Sequence, residues 1–405
     1  MTPAGTPTSV WARGTGAPGT RAPGTRTPGT HALEEALAEG VRVAGQNWRV
    51  TRAWPAAFGD PAAGYVLELI AADGRVRGAY LRDGQVEAGP DAALPALERL
   101  LGEGWTVLGH RFGKRAVLRR DGAGVFRKLA SPKATKRALA RADTVDRLLA
   151  FAPGAPLPPD RVASDAATGV IDLAPAPGRS LRDVLTDDGT SRAEAGAIGH
   201  TLGELLARLG RVGRAGQRED APGAPLPEHG PAEEAAVIER WVAAACAAAP
   251  LSPEASARLR VAADTVIAQL HSLEDQCSNR DRGPGGRPFR AAGLVRQPLV
   301  LTHRDLHDGQ ILVAEDRALT VLDWDTAAWA DPCLDVGNLL AHLELLSRQT
   351  PPATDRVAAT ITGVRASLTA AGHPAVTDPG RLALWRRAAA VRIRAVHAFR
   401  VVQNA

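Results

Sequence analysis

Residues 302–325, THRDLHDGQILVAEDRALTVLDWD, carry the side chains best spaced for chemistry. Leu299–Thr302 has an apolar strand pattern. So do Ile311–Val313 and Leu319–Leu322, joined by the turn-like Ala314–Ala318. If these last two pair as a hairpin, Gln310 at the start of one strand lies within about a residue of Asp323 at the end of the other. Neighbouring cross-strand side chains sit roughly 5 Å apart. An amide oxygen and a carboxylate then meet at one spot, with Asp305 above it on the loop. Oxygen donors of this kind suit a hard cation such as Mg2+. A carboxylate beside such a cation can orient and deprotonate a hydroxyl.

Three motifs follow in order: His303-Arg304-Asp305-Leu306-His307-Asp308-Gly309-Gln310, Leu322-Asp323-Trp324-Asp325, and Ala330-Asp331-Pro332-Cys333-Leu334-Asp335-Val336-Gly337-Asn338. Together they resemble the aminoglycoside phosphotransferase family, whose pattern is roughly H-G-D-x-x-x-x-N, then D-x-D/E, then G-D-P-x-x-D. The resemblance is strong over residues 295–345 and weaker over 105–210. Residues 1–95 and 211–295 add nothing to it. It implies an α+β, two-lobed protein-kinase-like fold, with a small β-rich lobe and a large helical lobe, here preceded by an α+β extension. It also implies ATP- and Mg2+-dependent phosphoryl transfer to a hydroxyl of a small molecule, with Asp305 as the catalytic carboxylate and Gln310 and Asp323 as metal ligands. Asp325 is a metal neighbour or a loop brace. His303 is expected to hydrogen-bond backbone near the metal, and Asp335 to tie the catalytic loop down. Arg304 stands where the family usually has Gly. Gln310 stands where it has Asn, keeping the amide oxygen but reaching one methylene further.

Other elements must position these groups. Trp105–Leu108, Ala116–Arg119 and Val125–Leu129 read as a three-strand meander with Lys128 near its end, followed by a helix over Lys133–Leu149. This order resembles a kinase small lobe, in which a strand Lys holds the α- and β-phosphates and pairs with a helix acid. Here the helix offers Asp143 or Asp146 and no Glu. The loop between the first two strands lacks G-x-G-x-x-G. Val170–Leu173 and the Ala174–Leu181 stretch resemble the hinge and the start of the large lobe. Pro175 and Pro177 have no N–H to give, so an adenine edge would meet the Ala174 carbonyl and the Ala176 amide. Helices are expected over 198–209, 231–249, 253–273, 333–348, 354–371 and 380–402.

Upstream, residues 1–30 repeat APGTR and TPGT and are expected to be disordered. Residues 31–102 read as an accessory α+β unit: a helix at Leu33–Ala38, strands Tyr65–Ile70 and Val76–Leu81 around a type I′ turn at Asp73-Gly74, a turn at Asp83-Gly84, and a helix at Ala92–Leu101. Residues 103–175 then form the small lobe and 176–405 the large one.

The chain has 405 residues and 45% apolar side chains, enough for a large core. No run approaches the ~18–20 apolar residues of a membrane helix, no signal peptide opens the chain, and a cytoplasmic location is expected. Cys246, Cys277 and Cys333 lack metal-site spacing and read as free thiols. The net charge of +5 fits an anionic partner, which a nucleotide already supplies. Only four of the 49 basic residues are Lys: Lys114, Lys128, Lys133 and Lys136. The Arg-rich 278–296 segment has no interleaved aromatics, so it reads as a solvated loop and not a nucleic-acid surface. Trp324 follows strand alternation and reads as core. The small-molecule acceptor is not legible. Glu233, Glu234 and Glu239 either attract a cationic one or form a solvated helix face. Two other functions compete: a non-catalytic nucleotide-binding module on the same fold, and a metallohydrolase built on His303, Asp305, His307 and Asp308.

Overall fold

Alternating burial builds the first sheet, and a break in that alternation hid one of its strands. The computed structural model describes residues 28–400 except 59, 121, 123, 151, 153, 155–157, 214–225 and 279–296. The tail through residue 27, the Arg-rich 279–296 and the last five residues therefore lie outside the described residues. Helix α1 (Pro28–Glu39) begins inside the stretch expected to be disordered, and Thr30 is already buried. Five antiparallel strands follow in spatial order: β1 (Val41–Val43), β2 (Gln46–Pro55), β3 (Tyr65–Ala71), β4 (Val76–Arg82) and β5 (Gln85–Glu87). Strand β2 escaped the sequence reading. It buries Trp48, Val50 and Ala53, and a register shift between Val50 and Arg52 breaks its two-residue period. The type I′ geometry falls at Asp83–Gly84, where both residues are left-handed (φ 49° and 76°). At Asp73–Gly74 only Gly74 is (φ 84°).

Helix α2 (Ala96–Gly102) leads into the second sheet. Its strands are β6 (Thr106–Arg111), β7 (Arg115–Arg120) and β8 (Val125–Ala130), then, beyond helix α3 (Pro132–Ala150), β9 (Arg161–Asp165) and β10 (Val170–Leu173). The order is β6-β7-β8-β10-β9, so the expected meander is three fifths of a larger sheet. Strand β9 is an exposed edge with no apolar alternation to reveal it.

The rest is mostly helical: β11 (Arg179–Ser180), α4 (Leu181–Thr186), α5 (Arg192–Leu209), β12 (Glu228–His229), α6 (Pro231–Ala248), α7 (Pro253–Ser278), β13 (Val300–Thr302), β14 (Ile311–Val313), β15 (Leu319–Val321), β16 (Ala328–Ala330), α8 (Cys333–Gln349), α9 (Thr354–Ala370), α10 (Pro374–Thr377) and α11 (Pro379–His397). Two three-stranded sheets, β11-β14-β15 and β12-β16-β13, carry the loops of interest. Helices α5 and α9 cross closely because Gly199 and Gly363 face them. A Cβ on Gly199 would lie 2.2 Å from the Thr360 carbonyl oxygen. The architecture is the expected α+β, two-lobed one, with an α+β extension.

That extension touches both lobes. The Gly78 amide donates to His110 Nδ1 on β6 at 2.8 Å, and Glu68 accepts the His110 amide at 3.1 Å. On the other side Tyr65 Oη donates to the Ala248 carbonyl at 2.5 Å. The Ala53 amide donates to the Phe399 carbonyl at 3.0 Å, and Phe58 meets Trp241 edge-on at 4.8 Å.

The helical lobe buries histidines that resist protonation. Burial pulls His342 down to about 2, His397 to about 3 and His373 to about 4. The unfolded chain protonates first as pH falls below the ordinary histidine value near 6.5. Stability from these groups is therefore complete above pH 6.5 and is lost as pH falls toward about 4. His373, 5% exposed, is the best-buried case. The upper bound is ~1.4 kcal/mol per pH unit for each histidine. Urea midpoints should fall between pH 7 and pH 5, and a flat profile would show that these rings already titrate in the folded state.

Candidate active site

The hairpin forms in the expected register. Ile311 pairs with Val321, and the Leu322 amide donates to the Gln310 carbonyl at 2.8 Å, so the ladder runs one step further and delivers Gln310 beside Asp323. Asp323 ends the strand in the left-handed region (φ 61°), and a short 3-10 turn, Trp324–Thr326, follows. Trp324 is buried, donating from its indole to the Val321 carbonyl at 3.1 Å, as expected of core.

From the second sheet Lys128 reaches across. Its Nζ lies 2.7 Å from Asp323 Oδ1 and 3.7 Å from Asp325 Oδ2. Arg115 Nη1 is 3.5 Å from Asp323 Oδ2. Burial alone would raise the Asp323 carboxyl, but Lys128 and Arg115 outweigh it and hold the group well below the usual carboxylate range. Asp325 moves the other way. Burial raises it, and the Asp323 charge adds to that rise against the pull of Lys128.

The expected pair between Lys128 and a helix acid does not form. Asp143 lies 2.6 Å from Arg161 Nη2, which is also 2.7 Å from Asp146. Arg141 is the α3 residue that faces the site, donating to the Asp325 carbonyl. Two residues further along a helix with 3.6 residues per turn, Asp143 points roughly 200° away. On the far side of the sheet Lys128 pairs with Ile171 of β10. The strand then leads to Ala174, whose amide donates to the Asp160 carbonyl at 2.8 Å, and to Ala176. Both alanines are half-buried.

The loop carrying Asp305 is fastened at several points. Asp335, fully buried, accepts the His303 amide at 2.6 Å and the Arg304 amide at 2.8 Å. Burial raises its carboxyl despite those donors. Thr326 Oγ1 donates to the His303 carbonyl at 2.8 Å, and Asn338 Nδ2 to the Leu306 carbonyl at 2.9 Å. The Asp305 amide donates to His303 Nδ1 at 3.3 Å, so the ring proton sits on Nε2 and donates to the Leu322 carbonyl at 2.7 Å. Asp305 itself is half-buried at the loop's apex.

Arg304 occupies the left-handed region (φ 69°), which accounts for Gly as the usual residue at this position. Its Nε is buried without a hydrogen-bond partner. Burial lowers its pKa, with Glu234 opposing the shift. Arg304→Gly removes a Cβ penalty of ~1 kcal/mol or somewhat more. The variant should therefore be more stable than wild type by urea denaturation, and equal or lower stability would show that the guanidinium offsets its backbone strain.

Sequence reasoning missed Arg115, Arg141 and Arg182, since arginine is too common in this chain to signal a role. Asp308 is fully buried and is thus no solvated loop residue; Arg182 Nε lies 2.8 Å from it but out of line for a hydrogen bond. Nor do the acidic residues of α6 line a mouth. Glu234 is buried against His229 at 2.8 Å and Arg392 at 3.1 Å, Glu233 accepts the Gly230 amide at 2.9 Å, and Glu239 is exposed. The hydrolase reading also fails locally. Both His303 ring nitrogens are engaged, and although His307, Asp308 and His342 gather within 4.8 Å, His307 Nδ1 accepts the Gly309 amide at 3.0 Å. A metal on its Nε2 would force a proton onto Nδ1, facing that amide.

A small-lobe lysine on an acidic pair at the end of a large-lobe hairpin defines a kinase-like fold. The chain belongs to the phosphotransferase enzyme family, APH, whose sequence model matches residues 104–390. No curated protein sequence matches the chain. Among solved structures it is similar to the aminoglycoside phosphotransferase APH(3'')-Id from Streptomyces rimosus, with 17% identity over 73% of this chain and 96% of that one and a TM-score of 0.45. It is also similar to the macrolide 2'-phosphotransferase MphH from Brachybacterium faecium (22%, 76% and 98%, TM-score 0.34). The choline kinase LicA from Streptococcus pneumoniae is a third such structure (12%, 75% and 99%, TM-score 0.39). Among the described residues no helix is long and apolar enough to cross a membrane.

Proposed function

We propose that this chain is a Mg2+-dependent, cytoplasmic kinase that transfers the γ-phosphoryl group of ATP to a hydroxyl of a small molecule. The observation that carries this is the meeting of Lys128 with Asp323 at 2.7 Å, beside the fastened Asp305 loop. The donors fit the metal: two carboxylates, Asp323 and Asp325, and the Gln310 amide oxygen are hard oxygen ligands for Mg2+. Lys128 already sits on that pair as a cation, as expected of a cluster of negative charge. When bound, the ion would offset the charge of the transferring phosphoryl group.

The chain's own groups do the rest. Lys128 contacts the phosphates, and Ala174 and Ala176 offer backbone groups to the base. Asp305 takes the proton of the acceptor hydroxyl as its oxygen bonds to the γ-phosphorus and the bond to the ADP oxygen breaks. The Asp335 and Asn338 bonds fix where that carboxylate stands, which is the larger part of what phosphoryl transfer asks of a protein. ATP consumption should be measured across aminoglycosides, amino alcohols, sugars and nucleosides. Turnover on one class, dependent on Mg2+, supports the reading. Tight ATP binding with no turnover on any would select a non-catalytic module instead.

A further inference from the structure

We propose that Arg115 is a ligand for the phosphates of the nucleotide, so that side-chain cations of the small lobe grip the polyphosphate where the β6–β7 turn has few amides to offer; this rests on the kinase reading above.

In a kinase small lobe the first turn covers the phosphates, and backbone N–H groups are its natural donors to anionic oxygens. Here two of the three amides of residues 112–114 are already used. The Gly113 amide donates to Asp91 Oδ2 at 2.8 Å, and the Lys114 amide to the Arg111 carbonyl at 3.0 Å. Asp91 belongs to the N-terminal extension and is buried. It also accepts the Ala93 amide at 3.0 Å and stands 3.0 Å from His110 Nε2. Phe112 meets Tyr80 of the extension edge-on at 5.0 Å. The extension thus clamps the turn, and freeing the Gly113 amide for a phosphate would leave a buried carboxylate short of a donor.

Arg115 opens β7, directly after the clamped turn. The register pairs Arg115 with Ala130 and Val117 with Lys128, so Arg115 and Lys128 are diagonal neighbours on one face of the sheet. Both reach the same carboxylate. Lys128 Nζ lies 2.7 Å from Asp323 Oδ1, and Arg115 Nη1 lies 3.5 Å from Asp323 Oδ2. Arg141 is instead held by the Asp325 carbonyl.

An ion held by Asp323 and Gln310 would repel both cations from that carboxylate. Lys128 then turns to the phosphates, and Arg115 has the same anion within reach. Its side chain is 59% exposed, so little is lost when it leaves Asp323. Its backbone stays fixed by the turn while the side chain moves. The guanidinium fork matches phosphate oxygens better than any other side chain does.

The test uses the full-length protein with Arg115→Gln, Arg115→Lys and Lys114→Gln. Calorimetry measures binding of a non-hydrolysable ATP analogue with Mg2+, and of adenosine. Arg115→Gln should weaken the analogue about tenfold and leave adenosine unchanged, with Arg115→Lys between. Lys114→Gln removes the same charge from the next residue, whose side chain alternates to the other face, and should cost less than about twofold. A role confined to Asp323 has the opposite sign, because removing a rival cation there tightens the metal and with it the analogue. Equal or tighter analogue binding by Arg115→Gln therefore overturns the inference. So does a parallel loss of adenosine, or an equal loss in Lys114→Gln. These outcomes leave the kinase reading standing, whereas a wild type that binds no analogue overturns that reading and the inference together.

Discussion

Asp305→Asn should leave the fold and ATP binding intact and lower kcat by roughly 10²–10⁴, the span usual for a positioned general base. The amide keeps the shape of the side chain but cannot take the hydroxyl proton. The loop's fastenings do not pass through the Asp305 carboxylate. They run from Asp335 to two amides and from Asn338 to the Leu306 carbonyl, so the variant should fold normally. ADP release on the acceptor found by screening is the measurement. Turnover close to wild type would remove Asp305 from the mechanism.

Asp323→Asn should abolish the Mg2+ dependence of ATP binding and slow turnover by about 10³ or more, given the several kcal/mol a catalytic ion contributes. Asn is a better probe than Ala here. Residue 323 is left-handed (φ 61°), a region Asn tolerates and other residues resist. The substitution thus removes charge without breaking the turn. Lys128 would keep only Asp325, at 3.7 Å, as an anionic neighbour. Gln310→Asn should be mild, because an amide oxygen remains. Calorimetry with and without Mg2+ checks both variants. Equal Mg2+-linked binding in wild type and Asp323→Asn would mean the ion sits elsewhere.

Much of this architecture was readable before any coordinates. The hairpin register followed from two apolar triplets and a turn, because strand period and hairpin length leave few alternatives. The long helices followed from apolar periodicity. What escaped did so for local reasons. Strand β2 carries a register shift that scrambles its alternation, and β9 is too exposed to show one. The Asp143 assignment failed because residue type was visible while helix phase relative to Lys128 was not. Arg182 was illegible because its place beside Asp308 depends on a contact between segments more than 120 residues apart, in a chain where arginine is everywhere.

The N-terminal extension also bears on how the protein can be cut. Leu33, Tyr65, Leu67 and Leu69 belong to one continuous apolar cluster with Val145, Leu181, Ala248 and Phe399. A fragment trimmed to the matched stretch, 104–390, would expose that seam on both lobes and lose Phe399 and Arg400 with it. The matched body therefore shares its core with the extension, which is part of the shell that closes its interior.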